Sequence, residues 1–153
     1  MMVAAMYVLD VMTWHPTWIA SDATLARALD EMFRLGCHHL PVLSHDRHLV
    51  GVLSFSDCER ALGKALKSGS TWVNSHTAHT VNVSAVMTTA PIIIEPNAPA
   101  AEAARLMLEH VIGCLPVMRG ETLVGIVTRS DLLMALIMLT RKTDYSAAQD
   151  NGI

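Results

Sequence analysis

The chain has 153 residues, enough for one compact domain or for two half-domains that share a core. With 52% apolar and 16% charged residues it reads as a buried globular chain, not a disordered one. A net charge of −3, with no basic cluster longer than two residues, excludes a nucleic-acid footprint, and no apolar run approaches the ~20 residues of a membrane span.

Taken in order, Met6 to Met12 has helical spacing and ends ahead of His15-Pro16, where the proline stops a helix. Asp10 and the lack of a basic start argue against a signal peptide. Thr17-Trp18-Ile19 reads as a short strand. Ser21 or Asp22 is placed to cap a helix over 23–35, whose stripe is Leu25, Ala28, Leu29, Met32 and Phe33, and Gly36 ends it. A hairpin follows, His39 to Leu43 and Leu49 to Leu53, with Pro41 pointing to an edge or irregular pairing. A helix is expected from Phe55 to Lys67. The polar stretch 68–82, with His76 and His79, reads as an irregular linker.

The order then repeats. Val86-Met87-Thr88 matches Val11-Met12-Thr13 at a spacing of 75, Pro91 matches Pro16, and Leu115-Pro116-Val117 matches Leu40-Pro41-Val42. The second hairpin turn is one residue shorter, so Gly125 to Asp131 repeats Gly51 to Asp57 at a spacing of 74. Helices are expected at 98–110 and 130–140, with a frayed tail over 142–153. The fold class is α+β: two βαββα units, 8–67 and 83–141, each too small to bury its own sheet and completed by the other. A site at the seam of two such units would occur twice.

The repeated stretch carries the chemistry. In Thr128-Arg129-Ser130-Asp131 a strand runs straight into a helix, whose N-terminal N–H groups suit an anion. The Thr128 hydroxyl and Arg129 guanidinium add donors. The Asp131 carboxylate can accept the hydroxyls of a ribose. The competing reading is a capping box, Ser/Thr-x-x-Asp ahead of an apolar run. A cap explains each copy, but not why the whole unit is duplicated around it.

In these residues, Val-Met-Thr, the two prolines, Leu-Pro-Val and the Gly-to-Asp copies, the chain resembles a tandem pair of CBS (cystathionine-β-synthase) domains, also called a Bateman module, over about residues 8 to 140. The resemblance implies a non-catalytic regulatory module that binds AMP, ADP, ATP or S-adenosylmethionine between the repeats. Carried over, Asp131, Ser130 and Thr128, with Arg129 nearby, would work with Thr13, Thr17, Cys37 and His38. Asp57, Ser56 and Ser54 would work with Thr88, Ile92, Ile112 and Gly113. It also implies a flat homodimer formed through helices 58–66 and 132–139. Because Phe55 stands where Arg129 stands in the second copy, the Asp131 site is expected to favour the more charged ligand. The alternative is a protein-interaction adaptor with degenerate sites, regulating a partner enzyme or transporter.

Eight histidines do not assemble a metal site at ligand spacing, and no metal or other required cofactor is expected. His15, His38 and His39 are better placed to line a cleft. Three cysteines, Cys37, Cys58 and Cys114, without CxxC, read as reduced thiols in a cytoplasmic protein. Cys58 at a helix start has the position of a reactive thiol, against the plainer reading of a buried small residue. Trp14 and Trp18 could stack on a base or cover the core. No nucleophile–base pair or P-loop appears, so no enzyme is expected.

Overall fold

The computed structural model describes residues 5–63 and 75–149, the side chains of 141–149 excepted. The elements in order are α1 (Val8–Val11), β1 (Thr13–Trp14), β2 (Ile19–Ala20), α2 (Leu25–Leu35), β3 (His39–Leu43), β4 (Leu49–Ser54), α3 (Phe55–Leu62), α4 (His76–Thr80), a 3-10 turn (Val83–Ala85), β5 (Thr88–Thr89), α5 (Ala100–Glu109), β6 (Cys114–Arg119), β7 (Thr122–Thr128) and α6 (Arg129–Gln149).

Two sheets form, and each takes a strand from the opposite half. One has the order β2-β3-β4-β5; the other has β1-β7-β6. Thr13 and Trp14 pair antiparallel with Ile126 and Gly125, and Thr88 and Thr89 pair with Val52 and Gly51. A parallel bridge between Ile94 and Val117 occupies the place that Ile19 and Val42 hold in the first sheet.

The exchange extends to the cores. Val8 and Met12 of the leading segment are buried with Met107, Leu115 and Val127 of the second half. Ala78 and Val83 are buried with Leu25, Leu29 and Leu53 of the first. The backbone bonds that fix these segments repeat pairwise: Val8 N–H to Ala98 O at 2.9 Å and Val83 N–H to Ala23 O at 2.8 Å, then Leu9 to Pro96 and Ser84 to Ser21, both at 2.9 Å. A small third cluster, Val52, Cys114 and Ile126, lies at the seam of the two sheets.

The motif glycines make the exchange possible. A Cβ on Gly51 would stand 2.6 Å from Met87 Sδ and 2.8 Å from the Thr88 carbonyl. One on Gly125 would stand 2.5 Å from Met12 Sδ and 3.1 Å from the Thr13 carbonyl. The Val-Met-Thr copies and the Gly copies are therefore two sides of one contact, in which a methionine and the next carbonyl lie flat on a residue without a side chain.

Several expectations need correction. The strand expected at 17–19 is Ile19–Ala20, because His15, at φ 47, and Pro16 turn the chain first. Helix α2 is capped by Thr24, whose Oγ1 accepts from Arg27 N–H at 3.3 Å, and not by Ser21 or Asp22. The backbone of residues 21–23 is instead committed to Leu43, Ser84 and Val83. Of the two readings of Pro41, the edge fails and the irregular pairing holds: β3 is interior, between β2 and β4, and its register with β4 shifts between Val42 and Leu43, next to Pro41. The stretch expected to be irregular is helical at His76–Thr80, and α6 continues past Arg141 to Gln149. The expected continuation of α3 to Lys67, the linker residues up to 74 and the tail beyond 149 lie outside the described residues. Gly36 ends α2 in the left-handed region, φ 64, as expected.

Gly51→Ala must push against a backbone carbonyl and is expected to cost about 1–3 kcal/mol. Urea unfolding measures it, with Gly125→Ala, whose nearest backbone atom lies farther off, as the milder comparison.

Candidate functional site

Strands β4 and β7 run directly into α3 and α6, and each junction is closed by a reciprocal cap. Asp131 Oδ2 accepts from Thr128 N–H at 2.7 Å and from Thr128 Oγ1 at 2.8 Å, while Asp131 N–H donates back to Thr128 Oγ1 at 3.3 Å. Asp57 Oδ2 accepts from Ser54 N–H at 2.9 Å and from Ser54 Oγ at 2.7 Å, and Asp57 N–H returns to Ser54 Oγ at 3.1 Å. The capping reading is thus correct for both copies, but it engages one carboxylate oxygen of each. The second oxygens differ: Asp57 Oδ1 is held by Arg60 Nη2, one turn along α3, whereas no donor among the described residues reaches Asp131 Oδ1. The position of Arg60 is taken in α6 by Met134.

The two junctions open on the same cleft, of about 1150 Å³, between the sheets. Thr13, Thr17, Cys37, His38, Thr128, Arg129, Ser130 and Asp131 all line it, and so do Thr88, Ile92, Ile112, Gly113, Ser54, Ser56 and Asp57. His15 and His39 line it too. Neither carboxylate faces bulk solvent: Asp57 is only 9% exposed and Asp131 is half-buried. Arg129 is exposed; its Nε donates to Ile112 O at 3.0 Å and its N–H to Gly113 O at 3.1 Å, which aims the start of α6 at the cleft. In the other copy Phe55 N–H donates to His38 O at 2.8 Å, and its ring meets the His38 imidazole edge-on at 6.1 Å.

Sequence reasoning missed Arg60, whose signal is only a cation three residues beyond the aspartate. It also missed Val111. Val111 occupies the position of Gly36 but at φ 54, a left-handed conformation that a β-branched residue adopts only under strain. The α5–β6 loop beside Ile112 and Gly113 is therefore strained where the α2–β3 loop is relaxed.

The cysteines are not reactive sites by their surroundings. Burial, and then the Asp57 charge, push the Cys58 thiol up to about 12; the same two causes push Cys114 up to about 12. Burial also raises Cys37, which is half-exposed in the cleft. Of the two readings of Cys58, the buried small residue holds: the buried environment outweighs the helix start. Trp14 and Trp18 line no part of the main cleft; Arg47 lies over the Trp18 ring at 4.9 Å. Among the described residues no group of three or more His, Cys, Asp or Glu side chains could hold a metal, and no helix is long and apolar enough to cross a membrane.

This cleft, with its duplicated junctions, coincides with a sequence match: residues 8–64 and 83–138 each fit the CBS domain family. The chain belongs to the CBS domain family. A CBS domain-containing protein of Dictyostelium discoideum is 35% identical over 117 residues, spanning 76% of this chain and 81% of that one. AcuB of Vibrio cholerae has a similar structure, with a TM-score of 0.73 and 32% identity over 92% of this chain and 97% of that one. CBSX2, solved in complex with AMP, is similar with a TM-score of 0.72 and 27% identity over 88% of this chain and 98% of that one. The fold is that of a CBS pair, a Bateman module of mixed α and β elements with two sheets.

Replacing Val111 by Gly removes a left-handed cost of about 1–2 kcal/mol, against a smaller entropic loss from added backbone freedom. Val111→Gly is expected to unfold at higher urea than the parent chain; an unchanged midpoint would mean the loop is not strained.

Proposed function

We propose that the protein is a non-catalytic regulatory module that binds an adenosine-containing ligand, AMP, ADP, ATP or S-adenosylmethionine, in the cleft between its CBS repeats. The observation that carries this is the pair of half-buried and buried carboxylates at helix starts within one cleft, each fixed by its own cap. At Asp131 the uncommitted Oδ1 is an acceptor for ribose hydroxyls, and Ser130 and Arg129 supply donors for phosphate around the N-terminus of α6, while the Thr128 N–H and hydroxyl, expected from the sequence to donate, are both spent on Asp131 Oδ2. The AMP complex of the similar protein CBSX2 supports this ligand class.

The two halves are proposed to differ. In the Asp57 half the ribose acceptor is already paired with Arg60, and Phe55 replaces the cation at the helix start. We assign the charged nucleotide to Asp131, with Thr13, Thr17, Cys37 and His38 as its neighbours across the seam. A ligand in the other half, near Thr88, Ile92, Ile112 and Gly113, must first displace Arg60 from Asp57. Three unpaired cysteines support a reducing, cytoplasmic setting.

At a ligand concentration of ~100 times Kd the bound state gains about 2.7 kcal/mol, a rise of roughly 5–10 °C in Tm for a chain of this size. A panel of AMP, ATP and S-adenosylmethionine against the parent chain, Asp131→Ala and Asp57→Ala is the test. The rise is expected to vanish in Asp131→Ala and to persist in Asp57→Ala; no response to any of the three would leave the adaptor reading in its place.

Helix α6 presents Leu133, Met134, Leu136, Ile137 and Met138 at 46–61% exposure, a run of apolar surface that a second copy would cover. The proposed assembly is a homodimer through this face. Light scattering should give twice the chain mass, and Leu136→Asp with Ile137→Asp should return it to the monomer.

A further inference from the structure

His39 opens β3 in the first half, yet its imidazole lies against the second. A Cβ on Gly113 would stand 2.8 Å from His39 Nε2 and 3.0 Å from Cε1, so the ring fills the space that a side chain at 113 would need. Gly113 is the same residue whose carbonyl accepts from Arg129 N–H at the start of α6. The ring therefore crosses the seam, next to one junction and in electrostatic reach of both.

We infer that His39 sets the preference of the cleft for phosphate-bearing over uncharged adenosine ligands, by taking up a proton when a phosphate settles on Arg129. This rests on the assignment of the charged nucleotide to the Asp131 half. The charges that face His39 are few. Burial holds the imidazole below the ordinary histidine range; His38 beside it on the chain and Arg129 from α6 act in the same direction, and Asp57 from α3 opposes them. Gly113 brings no charge from the α5–β6 loop, and Cys114 after it stays a neutral thiol.

With the cleft empty, His39 is neutral at pH 7. A phosphate on Arg129 cancels one of the opposing cations and adds an anion, both of which favour the imidazolium. The bound-state pKa then exceeds the free-state value, so binding takes up a proton and affinity rises as pH falls through the interval between the two. Adenosine, with no phosphate, leaves that interval closed. For each pKa unit His39 gains, the affinity for the charged ligand gains up to about tenfold on acidification.

The experiment is an NMR titration of the His39 Cε1 proton, assigned with His39→Gln, joined to calorimetry of AMP and adenosine from about pH 5 to 8, a range that reaches below the ordinary histidine value of ~6.5. In the free protein Arg129→Gln is expected to raise the His39 pKa and Asp57→Asn to lower it; Arg129→Gln alone decides, since Asp57 also caps its helix. AMP should raise the His39 pKa and adenosine should not. AMP affinity should gain more on acidification in the parent chain than in His39→Gln, a comparison that cancels the titration of the phosphate itself. If Arg129→Gln leaves His39 unmoved, or AMP and adenosine move it alike, the inference fails. If AMP perturbs nothing in the cleft while Arg129→Gln still shifts His39, the electrostatic link stands and the nucleotide reading is what falls.

Discussion

Two backbone strands lie flat on two glycines, and the remaining architecture follows from that contact. Gly51 and Gly125 allow Met87-Thr88 and Met12-Thr13 to approach more closely than any side chain would permit. Each approach adds a strand from one half to the sheet of the other. The segments attached to those strands, α1 on one side and the 3-10 turn on the other, then complete the opposite cores with Val8 and Val83, both fully buried. Neither half has a finished core without the other. The cleft is the space left between two sheets held at a spacing they cannot adjust independently.

Within that frame the aspartates serve two purposes with one side chain. One oxygen of each closes its helix start; the other is held by Arg60 in Asp57 and has no donor among the described residues in Asp131. Because the capped oxygen is fixed by two donors, the free one is oriented without a further partner. The same local bonds that a capping box supplies anywhere thus double as preorganisation of an acceptor. Arg60 changes this in the first copy only, and Val111 strains the loop beside that same copy's proposed neighbours Ile112 and Gly113. The two differences fall on the same half, so the two copies of the junction are no longer equivalent in structure.

Much of this was legible in the sequence because the chain states it twice. The first hairpin begins and ends where the apolar runs do, since turn residues and Gly36 punctuate it on both sides. All fifteen candidate ligand residues line one cleft; the residues of the two Gly-to-Asp copies were legible from the repeat, and their neighbours across the seam came only from the resemblance to CBS domain pairs. The exchanged strands were not legible: two residues carry no periodicity, and Val-Met-Thr gives no sign that its partner lies in the other half. The same blindness misplaced the cap of α2, where Ser21 looked suitable but its backbone was needed by Ser84. His39 reads as one of a pair of adjacent histidines, and only a missing Cβ more than seventy residues away in the chain, at Gly113, reveals which way its ring turns.

The interlocked leading segments have a historical implication. A half-length chain with one unit would leave a strand place on its sheet and a gap in its core unfilled, and a second copy trading the same segment would fill both. The present molecule has the arrangement such a traded pair would have, with both copies in one chain. Joining removes the obligation that both crevices be identical, since each gene half can now drift alone. Phe55 opposite Arg129, Arg60 opposite Met134 and Val111 opposite Gly36 are what that independence permits.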